Sequence, residues 1–287
     1  MIFCIVGPTA SHKSELAERI AIEFNAIVIN FDAFQVYKEM NLGTAKPSED
    51  FLNNHDNYFM YNFRSIKDPY NVFLYQKDAR KLLEQYKNEN IVLVGGTGLY
   101  LKALLYDYRF EEEEKMPEDY LENYTSEELY QLLLKIDKDD ALKIGPNNLK
   151  RLKRSIYISE IHNKTKTEIN NNLKDSLLYE NVCFVGICPP REELYESINS
   201  RVDIMFENGL KEEAKSLLSI NGVNQALHAI GYKEFSFGLD DEETKELIKK
   251  NTRNYAKRQL TFFRHQFKDV TRFEDLDEAF LYAKSRY

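Results

Sequence analysis

Four apolar runs constrain the fold of this chain more than any other feature: MIFCIV (1–6), AIVIN (26–30), IVLVGG (91–96) and VCFVGIC (182–188). Each is a continuous stretch rich in β-branched residues, without the alternation of a strand that has one wet face. Helical patterns stand between them, SELAERIAIEF (14–24) after the first run and VFLYQKDARKLLEQYKN (72–88) before the third. Buried strands alternating with helices form parallel sheets covered on both faces. An α/β fold is therefore expected.

The third and fourth runs are far apart, and the character of the chain changes between them. Residues 111–180 are rich in Glu, Lys, Asn and Tyr, with helical periodicity in EELYQLLLKI and LKRLKRSIYISEI and no strand-like run. The economical organisation is a core of residues 1–110 and 181–287 interrupted by a helical insertion, 111–180. After residue 190 the chain reads as mostly helical, as in SINSRVDIMFENGLKEEAKSLL and ETKELIKKNTRNYAKRQLTFFRHQ.

The loop after the first strand carries chemistry. GPTASHKS (Gly7, Pro8, Thr9, Ala10, Ser11, His12, Lys13, Ser14) fits the phosphate-binding pattern G-x-x-x-x-G-K-[ST] except at His12, where glycine is expected. In such a loop successive N–H groups and a helix N-terminus face an anion, Lys13 adds a point charge and Ser14 can ligate Mg²⁺. A Gly-Pro turn that only caps a helix is the plainer reading, but Gly7, Lys13 and Ser14 all fall at their required places. The expected fold sharpens to a P-loop NTPase-like parallel sheet core with a helical insertion domain. Asp32 follows the second strand and Thr97 the third, at strand ends where ligand sites gather in parallel sheets. Alone, each segment is only a strand–turn–helix corner.

Composition limits the function classes. The net charge of −8 argues against a nucleic-acid binder, yet the cations are segregated. Lys249, Lys250, Arg253, Lys257, Arg258, Arg264 and Lys268 lie in 248–268 with no acidic residue, and Lys143, Lys150, Arg151, Lys153 and Arg154 in 141–155 with none. Two such islands suit a phosphate backbone, although a charge run is commonly a solvated face. Tyr255, Phe262 and Phe263 within the second island are either core or stacking surfaces for bases. No apolar run approaches a membrane span and no signal-peptide pattern is present, so a cytoplasmic protein with no membrane contact is expected. Cys4, Cys183 and Cys188 read as buried free thiols.

Taken together, GPTASHKS, DAFQVYKEMNLGTAKP, GGTGLYLKALL, NLKRLKRS, RVDIMFENGLKEEA, AIGYKE and YAKRQLTFFR, in this order, closely resemble the tRNA dimethylallyltransferases, also called tRNA isopentenyltransferases. The resemblance spans nearly the whole chain and implies transfer of a dimethylallyl group from dimethylallyl diphosphate to N6 of the adenosine 3′ of the anticodon in tRNA. It makes Asp32 the general base and places Thr97 beside the leaving group. It gives residues 7–14 and Arg201 to the diphosphate, with Mg²⁺ as cofactor at Ser14. It assigns contacts with the tRNA anticodon arm to Asp32, Ala33, Phe34 and Gln35, to Lys150, Arg151, Leu152, Lys153 and Arg154, and to His228, Gly231, Tyr232 and Lys233. The segment Lys257, Arg258, Gln259, Thr261, Phe262 and Arg264 completes that set. A monomer is expected, of the bacterial type, since no zinc-finger pattern follows.

Several positions depart from the family pattern. His12 replaces glycine, Ala33 replaces serine, Tyr61-Asn62-Phe63 stands for a His-His-Leu pattern and Phe262 for tryptophan. Three rival functions stay open at this point: prenylation of free adenine nucleotides, a P-loop kinase, and a tRNA-binding protein with a decayed loop.

Overall fold

The computed structural model describes residues 1–108, 116–171, 176–220 and 225–287. The chain divides into two compact units, one of Met1–Leu105 with Tyr179–Tyr287 and one of Tyr106–Leu178. The expected boundary at residues 110 and 111 lies outside the described residues.

The larger unit is built on six strands: β1 (Ile2–Val6), β2 (Ile27–Asn30), β3 (Tyr58–Phe59), β4 (Ile91–Val94), β5 (Val182–Ile187) and β6 (Thr271–Phe273). All pairings are parallel, in the order β3-β2-β4-β1-β5-β6. The four apolar runs form the four central strands. The sequence reading omits β3 and β6, which are two and three residues long and only partly buried. Edge strands that short carry no continuous apolar run to read.

The helices of this unit are α1 (Lys13–Glu23), α2 (Glu49–Asn53), α3 (Val72–Gln85) and α4 (Gly98–Leu105), then, from the second unit onward in chain order, α5 (Ser126–Ile136), α6 (Lys138–Ile144), α7 (Leu149–His162) and α8 (Lys166–Asn171). The chain returns to the larger unit with α9 (Arg191–Glu207), α10 (Leu210–Leu218), α11 (Asp241–Gln266) and α12 (Leu276–Arg286). Phe3 and Ile5 of β1 pack with Leu16, Ala17, Ile20 and Ala21 of α1 and with Ala279 and Ala283 of α12. Burial of one such side chain stabilises by ~1.5–3 kcal/mol, so this layer outweighs the local propensities of either helix. The stretch SINSRVDIMFENGLKEEAKSLL is two helices, broken at Asn208-Gly209.

The smaller unit has its own core. Leu129, Leu133, Ala141, Leu152 and Ile156 are fully buried together, one face each of α5, α6 and α7. Asp137 ends α5 and starts α6, its carboxylate accepting from Asp140 N and from Thr167 N and Oγ1, so one side chain satisfies three donors at a helix junction. Among the described residues no helix is long and apolar enough to cross a membrane. Cys4 and Cys183 are buried and Cys188 half-buried, all as free thiols.

Topology decides where a ligand can sit. From β1 the chain builds β2, β3 and β4 on one side and β5 and β6 on the other. A crevice opens at such a switch point, beyond the carboxyl ends of the strands.

Candidate active site

Three loops leave the carboxyl ends of β1, β2 and β4 and converge there. Gly7 opens the first, where a Cβ would stand 2.5 Å from Ile187 O and 2.9 Å from Ser11 Oγ, so only glycine lets the loop leave the sheet so close to β5. Ser11 Oγ and Lys13 Nζ both donate to Pro8 O at 2.8 Å, which closes the loop on itself. Ala10 and His12 both have left-handed backbones, φ 63 and φ 60. Such residues curl a chain into a concave nest of N–H groups. The side chain of His12 does not cap the start of α1, which leaves first-turn donors for a ligand.

His12 therefore occupies the glycine position with glycine-like geometry. Its ring is exposed, with Nδ1 3.5 Å from Glu15 Oε2.

The second loop holds Asp32. The side chain of the fully buried Asn30 accepts from Asp32 N at 2.9 Å and donates to Met60 O at 3.1 Å, pinning the loop to the neighbouring strand end. Asp32 Oδ1 accepts from Phe34 N at 2.9 Å. Burial raises the pKa of this carboxylate, against the pull of its backbone donors and of Lys13. Desolvation wins here, which keeps the group closer to the pH at which a base is useful.

The third loop is GGTG. A Cβ on Gly96 would meet Gln259 Nε2 at 2.7 Å and Asp32 Oδ2 at 3.0 Å, so glycine lets this backbone run against both side chains. Thr97 Oγ1 accepts from Ala33 N at 3.0 Å. Gly95 and Gly96, rather than Thr97, form the wall of the crevice. Its hydroxyl ties this turn to the residue next to Asp32.

The loops enclose a cavity of about 550 Å³ lined by Thr9, Lys13, Ser14, Asp32, Phe34, Gln35, Arg201, Tyr255 and Gln259, among others. Burial and the nearby Arg201 lower the Lys13 pKa to about 8, more than Asp32 raises it. Arg201, on α9, is half-buried and its pKa is lowered by the same desolvation. Among the described residues it makes no ion pair. A desolvated arginine without a carboxylate partner is a cation waiting for an anion.

Lys46, Tyr61 and Glu213 belong to this region and are not among the site residues expected from the sequence, where Tyr61 figures only as a departure from the family pattern. Lys46 lines the cavity, donates to Tyr37 O at 2.8 Å, and has its pKa lowered by burial to about 8. Tyr61 lines it too, its hydroxyl pushed up by burial and by Tyr58 and Asp32. Glu213 accepts from the backbone N–H groups of Asn41, Leu42 and Gly43 and from Tyr232 Oη, shaping the loop that carries Lys46. The signal for Lys46 lay in GTAKP. Nothing local marks a glutamate on α10 as the anchor of a loop some 170 residues earlier.

A neighbouring cavity of about 850 Å³ shares Lys46 and Arg201 with the first, and His12 lines only this second one.

The residues expected to meet RNA fall into different environments. Lys150 and Arg151 are exposed on α7 and Lys153 and Arg154 half-buried, but Leu152 is fully buried in the core of its unit. His228 is exposed, Gly231 buried and Lys233 half-buried, while Tyr232 is fully buried with its hydroxyl donating to Glu213 at 2.7 Å. Neither the Leu152 nor the Tyr232 side chain has surface to offer an RNA. On α11, Lys257, Arg258, Thr261 and Arg264 are exposed. Phe263 is core, Phe262 is half-buried beside Gly98, Tyr255 faces the cavity, and Gln259 is buried with its amide satisfied within the protein. Lys249 is paired to Asp203 and Glu246, and Arg253 donates to Asn199 Oδ1.

Known proteins resemble this chain over nearly its whole length. The IPP transferase family pattern matches residues 35–266. The tRNA dimethylallyltransferase of Malacoplasma penetrans is 36% identical over 283 residues, 96% of this chain and 93% of that protein. That of Bacillus licheniformis is 38% identical over 289 residues, 95% of this chain and 90% of its own. Among solved structures, the tRNA delta(2)-isopentenylpyrophosphate transferase of Staphylococcus epidermidis superposes with a TM-score of 0.69 at 32% identity, covering 100% of this chain and 99% of that one. A eukaryotic dimethylallyltransferase acting on tRNA gives a TM-score of 0.81 at 28% identity, over 99% of this chain and 77% of its own. With the match running from the Asp32 loop through α11, this chain belongs to the IPP transferase family.

Proposed function

We propose that this chain transfers the dimethylallyl group of dimethylallyl diphosphate to N6 of the adenosine 3′ of the anticodon in tRNA. One observation carries the reading: two cations suited to a diphosphate, Lys13 and Arg201, share a cavity with a carboxylate whose pKa burial has raised, Asp32. The diphosphate lies in the loop of residues 7–14, against the uncapped first turn of α1. As the allylic C–O bond breaks, its electron pair stays on the diphosphate, where Lys13 and Arg201 meet the growing charge. The N6 lone pair forms the new C–N bond, and the N6 proton passes to the Asp32 carboxylate. The products are the prenylated base, free diphosphate and a protonated Asp32.

The donor set also suits magnesium. This ion keeps most of its waters and takes one or two protein oxygens together with substrate phosphates. Ser14 and Asp32 offer a hydroxyl and a carboxylate at the same cavity, and no group of three or more His, Cys, Asp and Glu stands ready for a softer metal among the described residues. Ser14 would hold the ion, which when bound neutralises charge on the leaving group.

The exposed cations of α7 and α11 favour a polynucleotide over a free nucleotide as acceptor, since a small substrate needs neither. We place the reaction in the cytoplasm, carried out by a monomer. The test is an incubation of the protein with Mg²⁺, labelled dimethylallyl diphosphate, and either unmodified tRNA or adenosine monophosphate. Label is expected on N6 of one adenosine of the tRNA. Label on the mononucleotide instead, or on neither, refutes the assignment.

A further inference from the structure

Gln259 is where helix α11 reaches both working loops. Its side chain is 5% exposed, Oε1 accepts from Thr9 N at 2.8 Å, and Nε2 donates to Gly96 O at 2.8 Å. Thr9 belongs to the phosphate loop and Gly96 to the turn beside Asp32, 250 and 163 residues away along the chain. A carboxamide offers an acceptor and a donor in one plane, which this bridge requires. A leucine would leave an amide and a carbonyl without these partners, and an asparagine is one methylene too short to span them. Lys257 and Arg258 precede Gln259 on the same helix and face solvent.

Resting on the transfer reaction above, we propose that Gln259 is a positioning residue that fixes the separation between the diphosphate loop and the Asp32 turn, and fixes both relative to the cationic face of α11. It takes no proton and forms no bond in the reaction. Two substrates held by different loops react only if the loops are in register, and an error of ~1 Å costs on the order of 10² in rate.

The variants Gln259→Leu and Gln259→Glu test this. Single-turnover transfer at saturating donor and tRNA is followed across pH, with donor KM, tRNA Kd, and amide hydrogen exchange of residues 7–14 and 94–98 in the protein alone. In Gln259→Leu the rate is expected to fall by about 10–100-fold while donor KM and tRNA Kd stay within about threefold, and both segments exchange faster. Gln259→Glu keeps an acceptor for Thr9 but turns a second oxygen on Gly96 O. Protonation restores the donor, so its rate relative to wild type is expected to climb as the pH drops from about 8 to about 5. A side chain that only fills space gives no such profile.

Unchanged exchange of both segments in Gln259→Leu overturns the proposal, as does a rate within about twofold of wild type or a flat Gln259→Glu ratio. Should the leucine variant fail to fold by circular dichroism, the glutamate ratio decides. A wild type that transfers no prenyl group refutes the assigned reaction, and hydrogen exchange then still decides whether Gln259 holds the two loops.

Discussion

Asp32, Lys13 and Arg201 lie in a crevice that strips water from them, while Lys257, Arg258 and Arg264 stand in solvent on the outer face of α11. The residue types overlap and the physics does not. Inside, desolvation moves the pKa values of all three groups and leaves Arg201 without an ion-pair partner among the described residues. Outside, each cation is exposed to solvent, and its influence on a distant anion fades within a Debye length of ~8–10 Å. The inner set can therefore act on bond making and breaking. The outer set can act only on how tightly a polyanion is held. Helix α11 carries both kinds of surface, with Tyr255 and Gln259 inward and the exposed cations Lys257, Arg258 and Arg264 outward.

The sharpest way to break this contrast is Asp32→Asn. The substitution keeps the shape and the acceptor for Phe34 N but removes the base, so kcat is expected to fall by ~10²–10⁴ with both substrates still bound. Steady-state kinetics alongside donor titration checks it. Turnover within about tenfold of wild type would take Asp32 out of the proton transfer and erase the distinction at its strongest point.

The outer set is tested by Lys257→Ala combined with Arg258→Ala. Each lost phosphate contact removes ~0.9 from the slope of log affinity against log salt, so the slope should flatten by ~1–2 and affinity should fall about tenfold at low salt. Donor KM should not move. Lys150→Ala with Arg151→Ala on α7 asks the same of the second unit, whose inward face is only its local core. Binding across a salt series measures both. A loss confined to the donor would mean that the outer cations belong with the inner set.

Much of this contrast could be read in the sequence, and the unread part has a common cause. The central strands show as continuous apolar runs because they are buried on both faces, and the phosphate loop shows because its chemistry needs Gly7, Lys13 and Ser14 at fixed spacing. Edge strands β3 and β6 are too short to carry a pattern. The count of cations in 248–268 could not reveal that Lys249 and Arg253 are engaged by residues of α9, since those partners are distant in sequence. The bridge made by Gln259, expected only as an RNA contact, and the loop anchor made by Glu213 were hidden for the same reason. Their loop partners are backbone groups 163 to 250 residues away, and nothing about the neighbours of either residue foretells it.

Lys13 gives a continuous test. With its pKa lowered to about 8, it is mostly charged at neutral pH and loses its proton as the pH rises through that value. A diphosphate binds the charged form, so donor affinity is expected to decline above about pH 8, by roughly thirtyfold at about pH 9.5 where binding requires that form. Had Lys13 kept its ordinary value, affinity would stay level over that range. Calorimetric titration of the donor in Mg²⁺ from about pH 7 to 9.5 distinguishes the two.

His12 should matter least, because it lies on the boundary between the two sets. Its backbone is left-handed, φ 60 and ψ 22, where a Cβ costs on the order of 1 kcal/mol. Glycine removes that strain but frees the unfolded chain by a comparable ~0.4–1 kcal/mol, so His12→Gly should shift Tm by no more than about 2 °C. The ring is exposed, is turned toward Glu15, and lines the neighbouring cavity rather than the one holding Asp32. Loop N–H groups, not the imidazole, then hold the diphosphate, and donor KM should change by less than about threefold. Thermal unfolding and donor kinetics of the variant test both statements. A tenfold rise in donor KM at unchanged Tm would show that the imidazole itself grips the diphosphate. His12 would then join Lys13 and Arg201, and the inner set would extend out to the solvent-facing edge of the loop.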